Sequence, residues 1–123
     1  MNDDDVRVVV VDDVNDIAES VAKVLMADGY QVKTANDGLQ ALAVIEQFRP
    51  ACVLLDIDMP GIDGKELSVR LRALYGDEMV LIAVTGWGLP DDGLSHAFAT
   101  FDHYLRKPLS PGVLRKILPP LAA

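Results

Sequence analysis

Three aspartates directly follow hydrophobic stretches of the sequence and could together hold a cation. Asp12 and Asp13 follow one stretch, and Asp56 follows another. Carboxylates that lie close together raise each other's pKa and destabilise a fold unless a positive charge compensates them. A pocket of carboxylate oxygens plus a backbone carbonyl favours a hard cation that keeps several waters, and Mg²⁺ is the cation that we expect.

The expected protein ligands of this ion come from four residues. We expect Asp13 and Asp56 to bind Mg²⁺ directly and Asp12 to act partly through a water. The backbone carbonyl of Asp58 should complete the protein's share of the coordination. So few protein ligands leave positions free for phosphate oxygens, which is how Mg²⁺ usually serves phosphoryl transfer.

Two further polar residues, Thr85 and Lys107, also follow hydrophobic runs. Lys107 can supply one fixed positive charge to the carboxylates. Taken alone, each residue has a plainer interpretation, as a hydroxyl at the end of a strand and as a surface lysine. The Asp12-Asp13 pair alone is often only a helix cap. Together at one sheet edge, these residues indicate a functional site.

The elements that must position these residues are short strands alternating with helices. Three runs are almost continuously apolar, as in parallel strands buried on both faces: residues 8–11, 51–55 and 80–84. Two mixed runs, residues 31–34 and 103–106, are typical of edge strands. Ile17, Val21 and Leu25 recur at helical spacing, and Asp28-Gly29 then stops the helix. Further helices are predicted over residues 39–48, 65–74 and 113–118, with a weaker one over 91–98.

Five strands alternating with five helices predict a doubly wound α/β fold around a parallel sheet. Because crossovers are right-handed and two strands must lie at the edges, the order 2-1-3-4-5 fits best. In such a sheet, ligands bind at the carboxyl ends of the strands where the order reverses, here between the first and third strands. Asp12, Asp13 and Asp56 should therefore meet at that edge.

Five motifs of this sequence resemble those of bacterial response-regulator receiver domains. They are Val11-Asp12-Asp13, Thr34-Ala35-Asn36-Asp37-Gly38, Leu55-Asp56-Ile57-Asp58-Met59-Pro60-Gly61-Ile62-Asp63-Gly64, Val84-Thr85-Gly86 and Leu105-Arg106-Lys107-Pro108. The resemblance covers nearly the whole chain, and five motifs in this order are far more specific than any one of them. It implies the (βα)5 flavodoxin-like fold.

The resemblance also implies a reaction. Asp56 would attack the phosphorus of a phosphohistidine, or of a small phosphodonor, while Mg²⁺ and Lys107 neutralise the developing charge. The product would be an aspartyl phosphate. By the same resemblance, the hydroxyl of Thr85 would bond a phosphoryl oxygen and the ring of Tyr104 would turn inward behind it. The Lys107-Pro108 peptide would be cis.

Thr85 and Tyr104 are therefore the expected switch residues. They would couple phosphorylation to the surface around the fourth helix, the fifth strand and the fifth helix. The expected partners are a histidine kinase or histidine phosphotransfer protein, which donates the phosphoryl group, and a downstream protein target. Thr100 departs from the family pattern, which commonly has a glycine there. The oligomeric state stays open.

Composition narrows the class of protein. A chain of 123 residues that is 50% hydrophobic suits a single receiver domain over residues 1–123. A net charge of -8 argues against a nucleic-acid surface. Cys52 is the only cysteine, so no internal disulfide forms and a buried, inert thiol is expected. Without a targeting segment or a membrane-length apolar run, we expect a cytoplasmic protein with no membrane contact.

Three other functions compete with this interpretation. Asp56-Ile57-Asp58 also resembles the nucleophile motif of haloacid-dehalogenase-like phosphatases, in which Asp58 would be the general acid; that motif normally follows the first strand. A receiver-like binding module that signals without phosphorylation usually lacks one of the acidic pair, the acceptor or the lysine. A flavin-binding module would need hydroxyls and free N–H groups where this chain has Asp12 and Asp13.

Overall fold

The computed structural model describes residues 6–57, 64–85, 100–107 and 111–118. The strands are β1 (Arg7–Val11), β2 (Gln31–Ala35), β3 (Cys52–Asp56), β4 (Val80–Thr85) and β5 (His103–Arg106). The helices are α1 (Asn15–Ala27), α2 (Gly38–Phe48), α3 (Gly64–Tyr75) and α4 (Pro111–Ile117). Each predicted strand and helix within these ranges is confirmed to within two residues. The helix predicted over residues 91–98 lies outside the described residues.

The five strands form one parallel sheet in the order β2-β1-β3-β4-β5, which confirms the predicted fold. The central strands β1, β3 and β4 are almost wholly buried, as their continuous apolar sequences require. The strands at the two ends, β2 and β5, expose part of their residues. The carboxyl ends of β1 and β3 lie side by side, with Val11 paired to Leu55.

Alternate residues of the central strands face two separate hydrophobic layers. One layer packs α2 and α3 against the sheet and includes Val9, Val53 and Leu81. The other packs α1 and α4 against the opposite face and includes Val10 and Leu54. The sheet is therefore covered by helices on both faces, as in a doubly wound fold.

The buried face of α1 includes Leu25 of the predicted stripe, and Val21 packs partly buried beside it, but Ile17 does not belong to it. Ala18, Ala22 and Leu25 are the buried residues, whereas Ile17 is 40% exposed. Alanines at helical spacing let the helix approach the sheet closely, so the smaller side chains form the contact and Ile17 points away. Among the described residues, no helix has the length and apolar character that crossing a bilayer requires.

Cys52 is a free, buried cysteine at the start of β3, as predicted. Burial raises the pKa of its thiol, and the charge of Asp102 adds to that effect. The thiol is therefore neutral at physiological pH and unreactive as a nucleophile in the folded protein.

Helix α2 begins at a side-chain cap. The carboxylate of Asp37 accepts a hydrogen bond of 2.7 Å from the backbone N–H of Gln40. At the other end, Arg49 adopts a left-handed conformation with φ 51° and ends the helix. Arg7 of β1 then donates to the carbonyl oxygens of Phe48 and Arg49, which joins this helix end to the central strand.

Candidate functional site

Three carboxylates converge at the carboxyl edge of the sheet. One carboxylate oxygen each from Asp12, Asp13 and Asp56 lies within 4.8 Å of the others. Asp12 and Asp13 follow β1, and Asp56 is the last residue of β3, so the parallel pairing of these strands brings them together. Asp12 and Asp56 are buried, whereas Asp13 is exposed. The cluster therefore has two buried carboxylates and one at its mouth.

Lys107 reaches into this cluster from the end of β5. Its Nζ lies 3.3 Å from Asp12 Oδ2 and 3.3 Å from Asp56 Oδ2. The backbone N–H of Lys107 donates to the carbonyl oxygen of Thr85 at 2.8 Å, which fixes the start of the lysine side chain beside β4. One ammonium group thus bridges two buried carboxylates that come from different strands.

The pKa of Lys107 is set by burial and by the two carboxylates beside it. Burial alone would lower the pKa of Lys107, but the negative charges of Asp56 and Asp12 outweigh burial and raise it. Lys107 is therefore fully protonated at neutral pH. The cluster contains three carboxyl groups and one ammonium group. This excess of acidic groups favours a divalent cation.

Asp12 is held by several hydrogen bonds. Its Oδ1 accepts from the backbone N–H of Val14 at 2.9 Å, while its Oδ2 contacts Lys107. Its own N–H donates to the carbonyl oxygen of Ala35, and its carbonyl oxygen accepts from Asn36 Nδ2 at 3.0 Å. Because both carboxylate oxygens already have protein partners, a water-mediated contact to a cation suits Asp12 better than direct ligation.

The carboxylate oxygens are close enough to converge on one cation. Direct Mg–O distances of about 2.1 Å place adjacent ligand oxygens of an octahedral ion about 3.0 Å apart and opposite ones about 4.2 Å apart. Oxygens within 4.8 Å of one another can reach this arrangement by small side-chain movements or through a bridging water. The donor set consists of hard oxygens, which suits Mg²⁺ rather than a metal that prefers nitrogen or sulfur. Asp58, the fourth predicted ligand, lies outside the described residues.

Thr85 and Tyr104 lie on the neighbouring strands β4 and β5. Thr85 is the buried last residue of β4, and the β3–β4 register pairs its neighbour Val84 with Asp56. Tyr104 of β5 is half-buried and packs against the layer formed by α2 and α3. Its ring meets that of Phe101 edge to face, with centroids 6.5 Å apart. Thr85 is thus at the same sheet edge as Asp56, whereas Tyr104 is paired with Ala83, two residues before Thr85.

Gly64 makes a close contact behind Asp56 that the sequence did not reveal. Its N–H donates to the carbonyl oxygen of Ile57 at 3.2 Å. A Cβ atom added to Gly64 would lie 2.9 Å from Ile57 Cα and still closer to the carbonyl oxygen of Asp56. The start of α3 therefore touches the backbone that carries Asp56, and a glycine in the Pro60–Gly64 motif was the one available signal. Asn36 was likewise missed as the partner of the Asp12 carbonyl.

Comparison with known proteins identifies the family. The sequence pattern described as "Response regulator receiver domain" matches residues 8–119 of this chain. The chain belongs to that family. Receiver domains of response regulators work in two-component signalling, and they generally serve as signalling rather than catalytic domains.

Curated relatives of this receiver domain include Response regulator MprA from Mycobacterium sp. (strain KMS). It is 37% identical over 105 residues, which cover 85% of this chain and 45% of that protein. The homologue from Mycobacterium bovis (strain BCG / Pasteur 1173P2) is 36% identical over the same length. The receiver domain described here spans less than half the length of the curated relatives it matches.

Solved structures show the same architecture. A CheY-like receiver domain protein from Methanospirillum hungatei JF-1 is 32% identical to this receiver domain, with a TM-score of 0.81 over 92% of this chain and 90% of that one. The response regulator protein TrrA from Thermotoga maritima, solved in complex with Mg²⁺-BeF, is 29% identical. Its TM-score is 0.78 over 90% of this chain and 94% of its own.

Proposed function

We propose that this receiver domain accepts a phosphoryl group on Asp56 in an Mg²⁺-dependent reaction. The observation that carries the proposal is the position of Lys107, whose ammonium group lies 3.3 Å from both Asp12 and Asp56. A cation held against the acceptor carboxylate can neutralise charge on a transferring phosphoryl group. The reaction would make this domain a phosphoacceptor switch of a two-component phosphorelay.

In the proposed step, a carboxylate oxygen of Asp56 attacks phosphorus. The phosphorus–nitrogen bond of a donor phosphohistidine breaks, its electron pair stays on the imidazole, and an acyl phosphate forms on Asp56. A small acyl phosphate can replace the histidine donor, in which case a phosphorus–oxygen bond breaks. Lys107 stays protonated throughout and binds the phosphoryl oxygens electrostatically.

Asp12, Asp13 and Asp56 would hold the Mg²⁺, with the carbonyl oxygen of Asp58 as a further proposed ligand. When bound, the ion supplies charge stabilisation to the phosphoryl oxygens. Two observations support this assignment. The cluster brings three hard oxygen donors within 4.8 Å of one another, and the similar protein TrrA was solved with Mg²⁺-BeF.

Thr85 and Tyr104 are the proposed switch residues. Thr85 would donate its hydroxyl to a phosphoryl oxygen, and Tyr104 would move inward behind it. The resulting surface change, around the fifth strand and the flanking helices, would alter binding of a downstream protein. We also propose a histidine kinase or a histidine phosphotransfer protein as the donor.

A phosphatase of the haloacid-dehalogenase type is the alternative. It would use Asp56 as nucleophile and Asp58 as general acid and would turn over many substrate molecules. Membership of the receiver family and the Lys107 bridge both favour self-phosphorylation instead. Released phosphate that greatly exceeds the protein in amount would favour the phosphatase.

Labelling with a small acyl phosphate tests the proposed function. With Mg²⁺ present, intact mass should show one added phosphoryl group, and hydroxylamine should remove it because it is an acyl phosphate. Asp56→Asn should abolish labelling, while Asp16→Asn, at an exposed carboxylate outside the cluster, should leave it unchanged. Labelling that persists in Asp56→Asn would refute the assignment.

A further inference from the structure

A second polar network lies at the opposite end of β4 and β5 and has Arg72 at its centre. Arg72 extends from the last turn of α3, and its side chain is only 18% exposed. Its Nη1 donates to the carbonyl oxygens of Gly76 and Met79, each at 2.9 Å. One guanidinium group therefore joins the end of α3 to the chain that enters β4.

The same guanidinium also holds the residues that enter β5. Arg72 Nε donates to the carbonyl oxygen of Thr100 at 2.9 Å, and Nη2 donates to Asp102 Oδ2 at 2.6 Å. That Asp102 oxygen accepts a second hydrogen bond from the backbone N–H of Leu81. A hydroxyl–hydroxyl contact between Ser68 and Thr100 adds a further link from α3. Residues 100–102 are thus attached to α3 and to β4 at once.

Strand β5 is the shortest strand of the described sheet and lies at one of its edges. It has four residues and, within the described sheet, it pairs only with β4. A slip of one residue in that pairing moves the strand by about 3.3 Å and turns each side chain to the other face. Lys107 lies directly beyond β5, and its ammonium contacts are themselves 3.3 Å long. A slip of that size would remove the ammonium group from the carboxylates.

We propose that Arg72 is a positioning residue that holds β5 in register and thereby places the ammonium group of Lys107 between Asp12 and Asp56. Its role in phosphoryl transfer rests on the proposed function of Asp56. Arg72 is on the far end of the strands from the acidic cluster, so it acts through β5 and not by contact with phosphate. A planar guanidinium suits this task because its N–H donors are fixed in direction and can reach several acceptors at once.

The first test measures how firmly the end of β5 is held against β4, without any reaction. Arg72→Met keeps the length and apolar stem of the side chain but removes the donors. Hydrogen exchange at the Lys107 amide, which bonds the Thr85 carbonyl, should become about tenfold faster, because local opening of a strand controls its exchange. Arg70→Met is the matched control on the same helix, since Arg70 is exposed and pairs only loosely with Glu66 at 3.4 Å. Unchanged exchange at Lys107 in Arg72→Met would overturn the proposal.

The second test asks whether the effect on phosphorylation passes through Lys107. Arg72→Met should slow labelling by an acyl phosphate about tenfold, since small misplacements of a site cost this much or more. In a Lys107→Ala background, the same substitution should slow it by less than about twofold. An equal loss in both backgrounds would show that Arg72 acts on the whole fold and would contradict the inference.

A milder variant covers the case in which Arg72→Met does not fold. Asp102→Asn retains an oxygen that can accept from Leu81 but removes the charge that Arg72 binds. It should change Lys107 exchange and labelling in the same direction by a smaller factor, and no change in either would contradict the inference. If wild-type protein is never labelled, the proposed function of Asp56 fails, whereas faster exchange at Lys107 would still support the positioning role.

Discussion

Replacing Gly64 with alanine tests how closely α3 approaches the backbone of Asp56. The new methyl group would lie 2.9 Å from Ile57 Cα and closer still to the Asp56 carbonyl oxygen. Ordinary contacts begin at 3.4 Å, so the chain must move by at least half an ångström at the point where the acceptor residue is attached. The neighbouring atoms are backbone and cannot rotate away.

The expected cost follows from overpacking in a well-packed region, which destabilises by about 1–3 kcal/mol. An unfolding entropy of about 2.1 cal/mol/K per residue gives roughly 0.26 kcal/mol/K for this chain, so Tm should fall by roughly 4–12 °C. Thermal unfolding followed by circular dichroism measures this change. Labelling of Asp56 by an acyl phosphate should slow as well, because reacting groups must be held within about 0.5 Å.

Gly112→Ala is the matched control for this prediction. Nothing lies within 4 Å of a Cβ placed at Gly112, which is inside α4. Alanine should therefore leave labelling unchanged and alter stability by no more than about 1 kcal/mol, in the stabilising direction. A Gly64→Ala protein with the wild-type Tm and labelling rate would refute the argument from close approach.

Three further predictions concern the metal, the thiol and a helix cap. Mg²⁺ should raise the Tm of the wild type much more than that of Asp13→Ala. The metal-free Tm of Asp13→Ala should be equal to or slightly above that of the wild type, because one like charge leaves the cluster. Equal Mg²⁺ shifts in the two proteins would remove Asp13 from the ligand set. Burial raises the pKa of Cys52, so the folded state keeps a proton that the unfolded state loses near pH 9, and stability should fall as pH rises above that value. Urea unfolding should show a weaker alkaline decline in Cys52→Ala, and an identical decline would contradict this. Asp37→Ala should lower the free energy of unfolding by about 1 kcal/mol, because it removes the side chain that accepts from the Gln40 N–H. Asp37→Ser should retain most of that stability, and urea unfolding measures both variants. Equal losses in the two variants would show that the cap does not stabilise α2.

The central strands were predictable because a strand buried on both faces consists almost wholly of apolar residues. Residues 52–55 are apolar at every position since β3 has helices on both sides, and Asp56 interrupts that run where the strand ends. Once the strand order is fixed, the meeting of Asp56 with Asp12 follows from parallel pairing alone. The candidate site could therefore be located before any coordinates were known.

Contacts that depend on packing were not predictable. Ile17 and Ala18 both fit a helical stripe, and only the close approach of α1 to the sheet selects Ala18 for the buried face. The equal distances from Lys107 to two carboxylates depend on the path of β5, which the sequence pattern does not specify. The contacts of Arg72 were not predictable either, because three of its acceptors are backbone carbonyl groups, and every residue carries such a group.

Several predictions fall on residues outside the described ranges. These are the carbonyl ligand from Asp58, the helix over residues 91–98 and the cis peptide before Pro108. They stay predictions, as do the roles assigned to Thr85 and Tyr104.

The alternation of side chains along the strands separates the acceptor from the residue proposed to respond to it. Asp56 is in register with Val84, which belongs to the layer beside α1 and α4, whereas Tyr104 packs with the layer beside α2 and α3. If Asp56 is phosphorylated as proposed, a response at Tyr104 would have to pass from the side of the sheet that faces α1 and α4 to the side that faces α2 and α3. A fluorine label on Tyr104 would sit across the sheet from the reaction, so a change in its resonance on phosphorylation would report transmission through the sheet and not mere proximity to phosphate.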